Sequence, residues 1–139
     1  MVEGVKVIDL KSFVDDRGYL VQLFDEDIKI KRCYVVSNFD KSTIRAFHKN
    51  FDEKKYFFVL KGSVKFVLSS DKNDKQQTII LSSKNPQLLI VPAGVWNGWK
   101  ALEDDTILIG FSDKIMKEHK DERIDPFKFG KDIWEVKPR

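Results

Sequence analysis

Apolar and polar residues alternate along much of this chain in short runs rich in β-branched and aromatic side chains. Val5 to Leu10, Gly18 to Phe24, Arg32 to Ser37, Thr43 to Lys49, Lys55 to Leu60, Ser63 to Ser69, Gln77 to Leu81, Leu88 to Val91 and Thr106 to Phe111 each read as a strand bounded by Gly, Asp, Asn, Ser or Pro. So many strands leave little room for helices. Lys61-Gly62, between two apolar runs, predicts a hairpin turn, and the polar stretch Ser69 to Gln76 an exposed loop joining the next pair. Only Lys114 to Glu122 has room for a helix, a short and highly charged one, so the C-terminal part is expected to be short helical or irregular. No repeat, low-complexity tract or linker divides the chain, and residues 1–139 are read as one all-β domain. Short strands at this spacing imply a sandwich or barrel.

Composition excludes more than it selects. With 42% hydrophobic residues, 11 Phe, 3 Trp and 3 Tyr, the chain is no disordered tail. Its 2 histidines, His48 and His119, and its 1 cysteine, Cys33, cannot make a zinc finger, an iron–sulfur cluster, a three-histidine metal site or an internal disulfide. The net charge of +3 provides no strong field for nucleic acid. Apolar stretches such as Tyr56 to Leu60 and Gln87 to Val91 fall far short of the ~20 residues that cross a bilayer. Met1-Val-Glu-Gly also lacks the build of a signal peptide. A cytoplasmic protein without membrane or nucleic-acid partners is expected.

Two segments carry the chemistry. Thr43-Ile-Arg-Ala-Phe-His48-Lys-Asn50, followed by Lys54-Lys55 and Gly62, resembles the first sequence motif of the cupin superfamily. Pro92-Ala-Gly94-Val-Trp-Asn97-Gly-Trp99 resembles the second. The resemblance implies a double-stranded β-helix, or jelly roll. In metal-binding cupins the matching positions hold the metal, and here they are His48, Asn50, Lys55 and Asn97. An Asn oxygen is a poor substitute for imidazole on a transition metal, and a lysine cation would repel the ion, so neither metal nor other cofactor is expected.

Among cupins, the chain resembles the nucleotide-sugar group that includes dTDP-4-dehydrorhamnose 3,5-epimerase. Asp16-Arg17-Gly18-Tyr19-Leu20 is similar to that family's opening motif, whose arginine contacts the nucleotide diphosphate, often across a dimer interface. Ile44-Arg45-Ala46-Phe47-His48 is similar to its Leu-Arg-Gly-Leu-His, with histidine as base and arginine on phosphate. Lys55 falls on the lysine placed near the developing enolate. Asp125-Pro126, followed by Ile133 and Trp134, resembles the terminal stretch whose aspartate orients the histidine. The departures are a shorter chain, Ala46 for glycine, Gln22 for an acid, and no opposing tyrosine around Leu108 to Ile115. A neighbouring branch, the dTDP-4-keto-6-deoxyhexose 3,4-ketoisomerases, fits the length better and shares the look of Ile30 to Tyr34. It carries His-x-His where this chain has His48 and Asn50, with no other histidine near in sequence.

Removing a proton alpha to a ketone needs a base of near-neutral pKa, a cation or donor over the oxygen that becomes an enolate, and a way to return the proton. His48 suits the first need, with Asp125 as the carboxylate that sets its tautomer. Lys55 or Lys54 suits the second. Tyr56, Tyr34, Tyr19 or water remain open for the third. Arg17, Arg45 and Arg32 are candidates for the diphosphate because planar guanidinium groups bind phosphate oxygens in pairs. Asn50 and Asn97 are further substrate contacts, and Trp99, Trp96 or Phe47 suit stacking on a sugar or base. His119, in Lys-Glu-His-Lys, reads as solvated, and Asp125 before Pro126 also suits a plain turn. The resemblance implies a homodimeric, metal-independent epimerase of a nucleotide-linked 4-keto-6-deoxysugar. The alternatives are a 3,4-ketoisomerase and a non-catalytic sugar-nucleotide-binding cupin.

Overall fold

The computed structural model describes residues 2–72 and 75–139. Two five-stranded antiparallel sheets face each other. The first has the order β1 (Lys6–Asp9), β9 (Gln87–Val91), β6 (Lys55–Lys61), β11 (Ile107–Ser112), β4 (Arg32–Ser37). The second has the order β12 (Asp121–Arg123), β5 (Ile44–Asn50), β10 (Val95–Ala101), β7 (Ser63–Ser70), β8 (Gln76–Ser82). A separate hairpin pairs β2 (Ser12–Asp15) with β3 (Gly18–Val21).

The core lies between the sheets, where Phe57, Val59, Phe66, Leu68, Leu89, Trp99 and Leu108 pack together. Both sheets are also covered outside. Tyr56, Phe58, Leu88 and Ile90 point out of the first sheet into a layer formed by Leu10, Leu23, Phe24, Ile28 and Ile30. Phe47, Val67 and Trp96 point out of the second onto Trp134, Ile124 and Phe129 of the C-terminal segment. Burial on both faces explains why Tyr56 to Leu60 is a continuous apolar run instead of an alternating one.

The turn at Gly62 forms, with φ at 84°, but it joins β6 and β7 of different sheets and makes no hairpin. A side chain there would collide with Thr106, so glycine meets two demands at once. The hairpin between β7 and β8 does form across the loop expected at Ser69 to Gln76, of which residues 73 and 74 lie outside the described residues.

Three strands escape the sequence pattern: β2, β10 and β12. In place of a helix over Lys114 to Glu122 there is a 3₁₀ turn at Met116–Glu118, and the chain then runs into β12. That exchange matters for the site, because a strand puts alternate residues on one face.

Candidate active site

A pocket of about 410 Å³ opens at one end of the space between the sheets. Tyr34 and Val36 of β4, Ile44, Ala46 and His48 of β5, Lys55 and Phe57 of β6, and Asn97 and Trp99 of β10 line it. Arg45 lies at its margin, and His119, Asp121 and Arg123 close it from the C-terminal segment.

His48 sits in the middle strand of three. Asn97 of β10 is its register partner on one side and Arg123 of β12 on the other. Asn97 donates from Nδ2 to the His48 carbonyl at 3.1 Å. Close approach of β5 and β10 depends on Gly98, because a Cβ there would overlap the methyl group of Ala46. The alanine that replaces the motif's glycine at 46 is accommodated across from that bare backbone.

The carboxylate behind the histidine is Asp121, whose Oδ2 lies 3.3 Å from His48 Nδ1. Burial tends to raise the Asp121 pKa, yet the hydrogen bond with His48 and the charges of His119 and Arg123 outweigh it and hold the pKa below the ordinary carboxylate value. An ionised Asp121 accepts from Nδ1–H and leaves Nε2 with its lone pair free. Burial lowers the His48 pKa, and the hydrogen bond to Asp121 opposes that shift without cancelling it.

Asp125, expected in this role, is exposed and caps its own turn, accepting from the Phe127 backbone N–H at 2.7 Å. The reason is local: Asp125-Pro126 begins a turn, whereas Asp121, four residues earlier, lies on the strand that pairs with β5.

Lys55 reaches the pocket from the first residue of β6, and burial lowers its pKa. Its Nζ lies 4.0 Å from Glu53 Oε2 and 5.6 Å from the Tyr34 ring centroid. Tyr34 is pushed up to about 12, chiefly by burial, and so stays a neutral donor at physiological pH. Of the three tyrosines considered, it alone lines the pocket. Tyr56 points outward onto Phe24, and Tyr19 stands exposed on the β2–β3 hairpin. Lys54 likewise turns outward, over the Tyr56 ring.

Arg45 is at the pocket margin, its Nε donating to Asn38 Oδ1 at 2.6 Å. Arg32 is not available there: its Nη2 donates to Glu53 Oε2 at 2.8 Å. Arg17 lies on the hairpin, remote from this pocket, paired with Asp15 through a 2.5 Å contact. Asn50 is buried, with its Oδ1 unpartnered by protein. Trp99 lines the pocket, whereas Trp96 bonds Asp71 outside the sheet and Phe47 belongs to the outer aromatic cluster.

His119 overturns the solvated reading, since its side chain is 14% exposed and its Nδ1 lies 2.5 Å from Glu53 Oε1. Glu53, Asp121 and Arg123 also escaped the sequence reading. A period of two over His119, Asp121 and Arg123 carried the signal, hidden by the expectation of a helix. Among the described residues no group of three His, Cys, Asp or Glu side chains is placed to hold a metal ion. The pocket's Asn97 and Lys55 also do not fit a transition metal: one is a weak neutral donor and the other a cation.

A jelly roll whose pocket between the sheets is lined by two histidines, each beside a carboxylate, defines a cupin. More narrowly, residues 3–129 match the family model described as FdtA: WxcM-like, C-terminal, and the chain belongs to that family. It is 30% identical to the spore coat polysaccharide biosynthesis protein SpsL of Bacillus subtilis, with 78% of each chain covered. It is 27% identical to the probable low-salt glycan biosynthesis epimerase Agl13 of Haloferax volcanii, covering 78% of this chain and 76% of that one. Among solved structures, a double mutant of the QdtA 3,4-ketoisomerase of Thermoanaerobacterium thermosaccharolyticum, in complex with TDP, superposes with a TM-score of 0.73. The two share 26% identity, over 82% of this chain and 83% of that one. The nucleotide-sugar cupin resemblance read from the motifs therefore holds.

Proposed function

We propose that the protein isomerises a nucleotide-linked 4-keto-6-deoxysugar, with His48 as the base that removes a proton alpha to the ketone. The protein is a carbohydrate enzyme of the isomerase and epimerase class: of its relatives, QdtA is a 3,4-ketoisomerase whose structure holds TDP, and Agl13 is a probable glycan biosynthesis epimerase. The observation that carries the reading is the His48–Asp121 pair: a carboxylate on Nδ1 leaves Nε2 free toward the pocket. Lys55 is positioned for the oxygen that becomes the enolate, Tyr34 is the neutral donor that returns a proton, and Arg45 and Arg123 offer positive charge to the diphosphate.

The reaction we favour is 3,4-ketoisomerisation. The base takes the proton from C3, the C–H electron pair forms the C3–C4 double bond of an enediolate with the charge on O4, the hydroxyl proton of O3 passes to O4, and a proton added at C4 leaves the carbonyl at C3 and a hydroxyl at C4. Where that branch carries a second histidine this chain has Asn50, but His119 lines the same pocket from the segment just before β12. Epimerisation is the second reading, supported by the likeness to the probable epimerase Agl13. Incubation with dTDP-4-keto-6-deoxyglucose in heavy water separates them. A 3-keto product with deuterium at C4 is the favoured outcome. Deuterium at C3 or C5 with the carbonyl unmoved selects the epimerase, and no exchange at any carbon overturns both.

We also propose a homodimer. The β2–β3 hairpin exposes Phe13, Val14, Tyr19 and Leu20 around Arg17, an apolar patch suited to a second copy, which would carry Arg17 toward that copy's diphosphate. Among the described residues no helix is long and apolar enough to cross a membrane, and we place the enzyme in the cytoplasm.

A further inference from the structure

A glycine stands inside a strand where nothing in the backbone asks for one. Gly110 lies in β11, hydrogen-bonded between β6 and β4, and it is not among the glycines with positive φ. A glycine in a strand interior packs nothing and weakens the strand, so it marks a place where another group comes close. Here that group is Tyr34. Tyr34 of β4 is the register partner of Gly110 on one side and Phe57 of β6 on the other. A Cβ built on Gly110 would overlap Tyr34 Cζ and stand 2.5 Å from Cε2 and 2.6 Å from Oη. Those nearly equal distances place it beneath the face of the ring, at the hydroxyl end. The neighbouring inward positions of β11 are Leu108, which lines the pocket, and Ser112, which bonds Glu53. The Tyr34 hydroxyl therefore occupies the place in that row that a side chain at 110 would fill.

β4 is the edge strand of its sheet, so a side chain standing straight up from Tyr34 would keep its hydroxyl over that edge. Lying across Gly110, the ring instead carries the hydroxyl inward toward β6, where Lys55 Nζ is 5.6 Å from the ring centroid and Phe57 lines the pocket. We propose that Gly110 is a positioning residue for the isomerisation: its missing side chain is the seat that sets where the Tyr34 hydroxyl meets the substrate. The inference rests on the reading of Tyr34 as the proton donor. Ordinary contact begins at about 3.4 Å, so a methyl group at 110 makes the ring withdraw by about 1 Å. The strand itself accepts alanine, because φ at 110 is not positive. A displacement of ~1 Å at a proton donor is enough to cost about 10²-fold in rate.

Steady-state kinetics with dTDP-4-keto-6-deoxyglucose, beside thermal unfolding, test this in the wild type, Gly110→Ala, Tyr34→Phe and the double variant. Gly110→Ala is expected to lower kcat by about 10²-fold with KM little changed. In the Tyr34→Phe background the same alanine is expected to cost no further turnover, because the hydroxyl it displaces is already gone. A contact that served packing alone would lower the melting temperature and leave kcat as it was. Unchanged kcat in Gly110→Ala, or an equal loss in both backgrounds, overturns the proposal. Should Gly110→Ala fail to fold, proton NMR of the full wild-type chain decides. A Gly110 Hα resonance moved upfield by the ring, and returned to its usual place in Tyr34→Ala, supports the seat, and an unshifted one overturns it. Full turnover in Tyr34→Phe sinks the donor reading on which the inference rests, whereas an impaired Tyr34→Phe with an additive loss from Gly110→Ala sinks this inference alone.

Discussion

Asp121 supports His48 diagonally across two strands. Arg123 is the residue directly opposite His48 in the β12–β5 ladder, and Asp121 lies opposite Asn50, yet its Oδ2 reaches back to within 3.3 Å of His48 Nδ1. The diagonal leaves the imidazole's other nitrogen to the pocket. His48→Asn is expected to lower turnover by about 10²–10⁴-fold with the fold intact, and Asp121→Asn by on the order of 10²-fold. Turnover measured beside circular dichroism checks both, and full activity in His48→Asn would remove the base assignment.

The pH dependence follows from the direction of the His48 shift. Burial lowers its pKa from the ordinary 6.5, so the base stays neutral and competent at pH 7 and is lost only on the acid side. The acid limb of kcat/KM is expected to have its midpoint below 6.5. Asp121→Asn removes the partner that raises the pKa and should move that limb further down. A pH–rate profile of each enzyme checks the sign.

Glu53 is the structural anchor of the site. Removing it leaves Arg32 and Lys55 facing each other without a counter-charge, so Glu53→Gln is expected to cost about 3–5 kcal/mol in denaturant unfolding. Its folded pKa lies below the ordinary 4.5. The stabilisation is therefore present in full above about pH 4.5 and lost as pH falls through the lower folded value. In Glu53→Gln the acid-dependent part of the melting curve should flatten.

At Gly98 the backbone of β10 meets Ala46 of β5 too closely for a second methyl group. Gly98→Ala is expected to destabilise by about 1–3 kcal/mol. Adding Ala46→Gly should recover part of the loss, since one of the two colliding methyl groups is then gone. Strict additivity of the two changes in thermal unfolding would show that the contact is not the cause.

The exposed hairpin predicts the assembly. Leu20→Asp, at an exposed apolar position on β3, is expected to convert a dimer into a monomer in sedimentation and to weaken substrate binding. The isolated chain's own pocket should be unaffected, because the hairpin contributes nothing to it. A wild-type chain that sediments as a monomer at every concentration would contradict the homodimer.

Most of the β architecture was legible because side chains alternate with a period of two whatever the partner strand is. Where the signal failed, packing on both faces or local polarity hid it. Val95 to Ala101 shows no alternation because nearly all of it is buried, Asn97 and Gly98 included, and Asp121–Arg123 is too polar to announce a strand. Of the site, His48, Lys55, Asn97, Trp99 and Arg45 were readable from motif spacing, and all line or border one pocket.

The supporting cast was not readable, for a physical reason. Glu53 and His119 are 66 positions apart, and nothing local distinguishes a buried carboxylate among the charges of Phe51 to Lys55 from a solvated one. Asp125 and Asp121 are both plausible partners on paper, and only the pairing of β12 with β5 chooses between them. The sequence alone determined the strand periodicity, the paucity of metal donors and the position of the histidine proposed as base, because these depend on residue type and spacing. The tertiary structure decided which carboxylate and which second imidazole stand behind that histidine, because long-range strand pairing sets those distances.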